Sequence, residues 1–153
     1  MSLEERVALL EARNELSDLV ARYCHVIDAR DYAGASELFD EDASFTVPDE
    51  RTTGRDAIRA FLQTQLERYE FTYHYVHSQV IDAIEGDRAH GVVDAHAEHG
   101  EDGTCVLAGI RYVDAYRRVA SGWRFQEREL QIRYFLPWAK LATRYHLGKR
   151  FGG

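Results

Sequence analysis

The hydrophobic period changes once along this chain, and that change constrains the fold more than any other feature. Up to about residue 68, apolar residues recur at three- and four-residue steps, which is typical of amphipathic helices. From residue 71 onward they alternate with polar residues over long stretches separated by glycine-containing turns, which is typical of antiparallel strands. This order predicts an α+β fold in which N-terminal helices cover one face of a sheet.

Three helices and one short strand are predicted in the first part. Leu3–Asp28 carries one apolar stripe and forms a long helix. Asp31 caps a second, short helix through residue 39, and residues 54–68 form a third. Residues 43–47 alternate as a short strand that ends at Pro48.

Four long strands are predicted to follow, over residues 71–85, 88–99, 104–119 and 123–134. Strands this long curl, and a curved antiparallel sheet closed by helices forms a cone with a hollow mouth. The 153 residues show no linker or repeat, so we expect one domain over residues 1–153. Such a hollow is a natural site for a small molecule.

Composition and charge exclude several classes of partner. The net charge of −7 argues against nucleic acid and anionic membranes. No apolar run approaches the roughly 20 residues of a membrane span, and the N-terminus lacks the regions of a signal peptide, so a cytoplasmic location is expected. Cys24 and Cys105 are the only cysteines, and their spacing predicts reduced, partly buried thiols.

Metal chemistry is not expected. Strand alternation places His74 and His77 on opposite faces. His90 and His96 share a face but lie about 20 Å apart on an extended strand, too far to bind one ion. Phosphate-binding glycine loops, a nucleophile elbow and paired metal-binding cysteines are also missing from the sequence.

Several short motifs occur in a characteristic order. They are YCHVID at 23–28, LFDEDASF at 38–45, GRDAI at 54–58, TYH at 72–74, GDRA at 86–89 and GWRF at 122–125. Together they resemble the SnoaL-like branch of the nuclear-transport-factor-2-like (cystatin-like cone) superfamily. Within it, the chain is most similar to the group of scytalone dehydratase and LinA-type dehydrochlorinase, and the resemblance extends from about residue 9 to residue 137.

The resemblance implies an acid–base site. In this group an aspartate on the first helix pairs with a histidine on the first long strand, and these positions are Asp28 and His74 here. The dehydrochlorinase type adds an arginine on the last strand, which corresponds to Arg128. Scytalone dehydratase uses a second histidine on the neighbouring strand, but none of the three histidines of that strand here matches it cleanly, namely His90, His96 and His99.

Each of these residues also has a purely structural interpretation. Asp28 stands near the end of its helix, where the helix dipole disfavours a negative charge, and a solvated acid opening a turn would fit there. A lone strand histidine such as His74 is often a packing residue. Arg128 stands among apolar neighbours and needs a partner when buried. That partner is Asp28, another acid in a structural ion pair, or an anion that develops during the reaction.

Alternation also predicts the lining of the hollow. On the second long strand Gly91, Val93, Ala95 and Ala97 share the face that points inward. The residues expected to line the site are Tyr23, Cys24, Phe45, Val76, Ala95, Ala97, Ala108, Tyr112 and Ile132. The small side chains among them imply room for a substrate larger than one six-membered ring, unless the segment from Trp138 to Tyr145 fills the space.

The expected function is that of a cofactor-independent lyase, of dehydratase type, acting on a hydrophobic small molecule. His74 removes a proton, Asp28 orients it, and Arg128, with Tyr23, assists the leaving group. An isomerase or polyketide cyclase with the same pair is the first alternative. A non-catalytic module, such as a ring-hydroxylating dioxygenase small subunit, is the second. The resemblance also implies a homodimer or homotrimer formed through the outer sheet face, where Leu107, Gly109 and Val113 are expected.

Overall fold

The computed structural model describes residues 1–140, which form three helices and six strands. The helices are α1 (Leu3–Asp28), α2 (Tyr32–Glu37) and α3 (Arg55–Leu66). The strands are β1 (Phe39–Val47), β2 (Glu50–Thr53), β3 (Thr72–Glu85), β4 (Arg88–Glu101), β5 (Thr104–Val119) and β6 (Gly122–Pro137). The α+β class is confirmed, with the helices preceding the long strands as the change of period predicts.

One six-stranded sheet contains all the strands in the order β2-β1-β6-β5-β4-β3. Four of its neighbouring pairs are antiparallel, but β1 and β6 run parallel. The predicted antiparallel meander is therefore one part of a mixed sheet. The long excursion through α3 and β3–β5 separates β1 from β6 in the sequence, which gives the chain enough length to return in the same direction.

The largest deviations from the predicted elements occur between α1 and α3. The second helix ends at Glu37, and Phe39, predicted as its last residue, instead begins β1 and is completely buried. β2 was not predicted because its four residues are polar and mostly exposed, so they carry no alternating pattern. It forms only because its backbone pairs with the end of β1.

An aromatic cluster joins α1 to the inner face of the sheet. The Tyr23 ring contacts Phe39 and Phe125 edge-on, with centroids 6.0 and 5.7 Å apart. Phe39 and Phe125 contact each other at 5.1 Å, and all three rings are at most 2% exposed. Aromatic rings in this arrangement stabilise the fold by more than the apolar area they bury. The cluster therefore holds α1 in a defined position on the sheet.

A register shift in β3 changes which residues face the helices. The pairing with β4 slips between Val76 and Ser78, so the alternation restarts there. His74 before the shift and Gln79 after it both face α1, where Gln79 donates a hydrogen bond to the Leu16 carbonyl. Val76 stands just before the shift and keeps the same alternation as His74, but it is 40% exposed.

Candidate active site

The structure brings Asp28 and His74 into direct contact. Asp28 ends α1, and His74 is the third residue of β3. The His74 Nδ1 atom lies 2.7 Å from Asp28 Oδ1, and the His74 backbone N–H donates to Oδ2 at 2.8 Å. The Thr72 hydroxyl also donates to Oδ1, at 3.0 Å. The Asp28 carboxylate at the end of α1 therefore accepts three hydrogen bonds from the first three residues of β3.

These contacts define the protonation state of the site. Burial raises the pKa of the Asp28 carboxyl, but the bonds and charge of His74 and the bond from Thr72 outweigh it and hold that pKa below its usual range. The carboxylate is therefore ionised, and His74 Nδ1 must carry the proton of their shared bond. The lone pair of neutral His74 then lies on Nε2, where a general base needs it.

A cavity of about 540 Å³ opens beside this pair. His74, whose side chain is only 6% exposed, is one of its lining residues. The rest of the wall is mainly apolar and aromatic. It is formed by Tyr23, Ile27, Phe45, Val47, Phe61, Leu62, Leu66, Tyr69, Ala97, Ala108, Ile110, Tyr112, Leu130, Ile132 and Phe135. Besides the two histidines, its polar or charged lining residues include Asp49, Glu50, Gln65 and Arg68.

Six of the nine predicted lining residues line this cavity. They are Tyr23, Phe45, Ala97, Ala108, Tyr112 and Ile132. Val76 is 40% exposed and does not line the cavity. Cys24 is buried in the core and does not line the cavity. Ala95 is likewise part of the core, 5% exposed.

Burial also makes the Cys24 thiol chemically inert. It raises the pKa of this group to about 11, so the thiol stays protonated at neutral pH. The segment from Trp138 to Tyr145, proposed as a plug for the hollow, lies partly outside the described residues. Within them, Trp138 is 55% exposed.

His99 is the main residue that the sequence analysis left without a role. Its ring lies 6.1 Å from the His74 ring, at an interplanar angle of 77°, and it also lines the cavity. It is 8% exposed, and its Nδ1 has no hydrogen-bond partner among residues 1–140. Burial, and then the nearby His74, lower the pKa of His99 to about 4, so this imidazole is neutral at pH 7. The alternation that places Ala97 on the inner face of β4 also places His99 there, so the inward position of His99 could have been predicted from the sequence.

Arg128 lies on the last strand, β6, as the resemblance implied, and its partner there is Asp114. Its Nε and Nη2 atoms donate to the two oxygens of Asp114, each at 2.9 Å, and both side chains are completely buried. Its guanidinium lies 4.4 Å from the Tyr23 ring centroid and 3.9 Å from that of Tyr112. Pairing with Asp28 is therefore wrong. Arg128 forms the structural ion pair and supports two aromatic lining residues from behind.

The family profile described as SnoaL-like domain matches residues 8–129. The chain belongs to the SnoaL-like domain family. No protein of curated function shows significant sequence similarity to this SnoaL-like chain. Solved structures that resemble it nevertheless share its fold.

Three solved structures illustrate that similarity. The LinA-type3 hexachlorocyclohexane dehydrochlorinase from Novosphingobium barchaimii LL02 is 20% identical, with a TM-score of 0.79 over 97% of this chain and 99% of that one. A candidate scytalone dehydratase from Novosphingobium aromaticivorans is 21% identical, with a TM-score of 0.76 over 88% and 90%. An NTF2-like protein with a cystatin-like fold from the same species is 29% identical, with a TM-score of 0.73 over 86% and 88%.

This SnoaL-like chain thus has the fold expected from its sequence motifs. Within residues 1–140, no helix combines the length and apolar character needed to cross a bilayer.

Proposed function

We propose that this SnoaL-like protein is a cofactor-independent lyase, of dehydratase type, acting on a hydrophobic ring compound. The observation that carries the proposal is the 2.7 Å contact between Asp28 and His74 beside an apolar cavity of about 540 Å³. A histidine with a carboxylate on Nδ1 and a free lone pair on Nε2 is a competent base near neutral pH. The solved relatives named as a dehydrochlorinase and a candidate scytalone dehydratase fit an elimination reaction on a ring.

In the proposed reaction, His74 Nε2 takes a proton from the carbon next to the one that bears a hydroxyl. The electron pair of that C–H bond forms the new C=C bond as the C–O bond breaks. The leaving hydroxyl takes the proton back from His74 and departs as water, so no net charge or redox equivalent is needed. Asp28 stabilises the positively charged His74 between these steps, and such proton transfer typically contributes about 10²–10⁴-fold.

His99 completes this mechanism as the second imidazole. It is neutral at pH 7 and lies on the same wall as His74, so it can hydrogen-bond the departing oxygen without repelling the protonated base. Arg128 acts indirectly, because Tyr23 and Tyr112 stand between its guanidinium and the cavity. Its proposed role is to position those two rings.

The substrate is proposed to be larger than one six-membered ring. Ala97 and Ala108 present only methyl groups to the cavity, and the volume of about 540 Å³ falls within the usual range for drug-sized ligands. Dehydration is favoured over loss of halide because alcohols are much commoner metabolites than haloalkanes.

Turnover measurements on a panel of hydroxylated steroids, polyketides and chlorinated rings test the proposal. Elimination creates conjugation, so a new absorbance band is the expected signal. Asp28→Asn and His74→Ala should each abolish it, whereas His25→Ala, which removes an exposed histidine of α1, should not. Turnover that survives both site variants contradicts the proposed chemistry. Ligand binding without any turnover indicates a binding module, and product of unchanged mass indicates an isomerase or cyclase.

Self-association through the outer sheet face is part of the same proposal. Tyr75, Val80 and Val113 remain 45%, 52% and 38% exposed there, an unusual density of apolar groups for a free sheet. Leu107 contributes little, since it is already 6% exposed within one chain. Light scattering should give a dimer or trimer, and Val80→Glu should shift it toward the monomer. A requirement for a second, larger chain would instead indicate a scaffold subunit.

A further inference from the structure

The backbone of Arg30 adopts a conformation that suits glycine better than arginine. Its φ angle is 61°, in the left-handed region, directly after the C-cap residue Ala29 of α1. The Arg30 N–H donates to the Ile27 carbonyl at 3.1 Å, and the Asp31 N–H donates to that of Val26 at 2.9 Å. This is a Schellman termination, whose left-handed position is most often glycine because a Cβ atom crowds the next carbonyl oxygen.

The side chain of Arg30 extends from this turn to the segment before β3. Its Nη2 donates to the Tyr69 carbonyl oxygen at 3.1 Å. Its Nη1 is buried and has no hydrogen-bond partner within residues 1–140. The Schellman termination of α1 uses backbone groups only. It requires neither the Arg30 side chain nor a buried, unpaired N–H group. The strained backbone and the incomplete pairing therefore point to a function other than helix termination.

Tyr69 connects this contact to the cavity. Its ring lies 4.5 Å from the His99 ring, centroid to centroid, and both residues line the cavity. On its other sides His99 contacts His74, at 6.1 Å, and Phe135, at 5.7 Å. His99 Nδ1 has no partner among the described residues, so packing against these rings, together with a hydrogen bond to the Val106 backbone, orients the imidazole.

We propose that Arg30 is a positioning residue of the active site, which fixes Tyr69 against His99 and thereby holds this imidazole in place beside His74. The inference rests on the proposed function, because it assigns Arg30 a task in the site that contains both histidines. The positive charge of Arg30 also favours the neutral form of His99. Burial and His74 lower the pKa of His99, a hydrogen bond to the Val106 backbone and the charge of Asp28 raise it, and Arg30 lowers it further. The neutral Tyr69 and Phe135 complete the surroundings of the ring.

Arg30→Gly separates the two possible roles of this residue. Glycine relieves the backbone strain, so the melting temperature should stay equal or rise. The loss of the contact to Tyr69 should nevertheless lower kcat by about 10- to 100-fold, the usual cost of a displaced catalytic group. The His99 ring resonances, followed by NMR against pH, should titrate at higher pH than in the wild-type protein. Arg30→Lys keeps the charge but not the planar guanidinium, so it should restore most of the titration and only part of kcat.

Arg13→Ala is the matched control, because Arg13 lies on α1, the helix that ends before Arg30, and also donates from Nη2 to a backbone carbonyl, that of Ile81, at 3.4 Å. It should leave the His99 titration unchanged. An Arg30→Gly protein with wild-type kcat and an unchanged His99 titration overturns the inference, as does a loss of kcat with His99 undisturbed. The NMR readout needs no substrate. A shifted His99 titration therefore supports the link between Arg30 and His99 even if the panel shows no turnover and the proposed function fails.

Discussion

The rings of His74 and His99 stand nearly perpendicular, 6.1 Å apart, in one wall of the cavity. Their surroundings differ in a way that assigns them different tasks. His74 has a carboxylate at 2.7 Å to stabilise its protonated form, whereas His99 is buried against aromatic rings and stays neutral. Two imidazoles in such different environments can take different parts in one proton transfer.

The lowered pKa of His99 predicts how stability depends on pH. Its pKa is about 4 in the folded chain, against an ordinary value of 6.5, so the unfolded chain binds the proton more tightly. The free energy of unfolding should therefore fall as the pH drops from about 6.5 toward 4, with about 2 kcal/mol of the loss complete at pH 5. His99→Phe keeps an aromatic ring but cannot titrate, and should lose this part of the pH dependence. Urea unfolding at pH 7 and pH 5 measures the free energy of unfolding in both proteins. An equal loss between the two pH values in wild type and His99→Phe contradicts the lowered pKa of His99.

Thr72→Val tests the hydrogen bonds that hold Asp28. The variant keeps the shape of the side chain but removes the donor at 3.0 Å, so the free energy of unfolding should drop by about 1 kcal/mol at pH 7. The pKa of Asp28 is lowered in the folded chain, so its contribution to stability is present above its unfolded pKa and is lost as the pH falls through the folded pKa. Without the Thr72 donor, the free energy of unfolding should depend less on acid pH. Thr64→Val, an exposed change on α3, is the control, and identical acid unfolding of both variants argues against the mechanism.

Asp114→Asn should be among the most destabilising single changes in the chain. It leaves the Arg128 guanidinium buried without its negative partner, which typically costs about 3–5 kcal/mol. Replacing both residues at once, with Arg128→Met and Asp114→Leu, removes the unpaired charge and should recover a large part of the loss. Urea unfolding of the single and double variants gives the coupling energy. Independent, additive losses would show that the pair does not act as a unit.

Substitutions of Ala108 on β5 and Ala95 on β4 test which of the two lines the cavity and which belongs to the core. Ala108→Leu extends into the cavity, so stability should change by less than about 1 kcal/mol, while KM for the largest substrates rises. Ala95→Leu adds the same atoms to a packed core and should cost about 1–3 kcal/mol with little change in KM. Thermal unfolding and steady-state kinetics on both variants measure the contrast. It would be contradicted if Ala108→Leu were the more destabilising of the two.

The sequence alone determined the α+β class and most of the strands and helices. Period and turn residues are local properties, so they survive without knowledge of the fold. Alternation along β4 and β5 also placed Ala97, Ala108 and Tyr112 in the cavity wall correctly. The positions of Asp28 and His74 came from a resemblance in motif order, and the contact between them depends on the sheet bringing residues 46 positions apart together.

Tertiary structure alone decided the rest. The register shift in β3 restarts the alternation after Val76, so that Gln79 faces α1, and it arises from pairing with β4 that no periodicity encodes. The partner of Arg128 is Asp114 because neighbouring strands place the two side by side, whereas the sequence offered several acids. A contact between elements depends on register, curvature and burial together. These quantities exist only once the sheet has formed and α1 has packed against it.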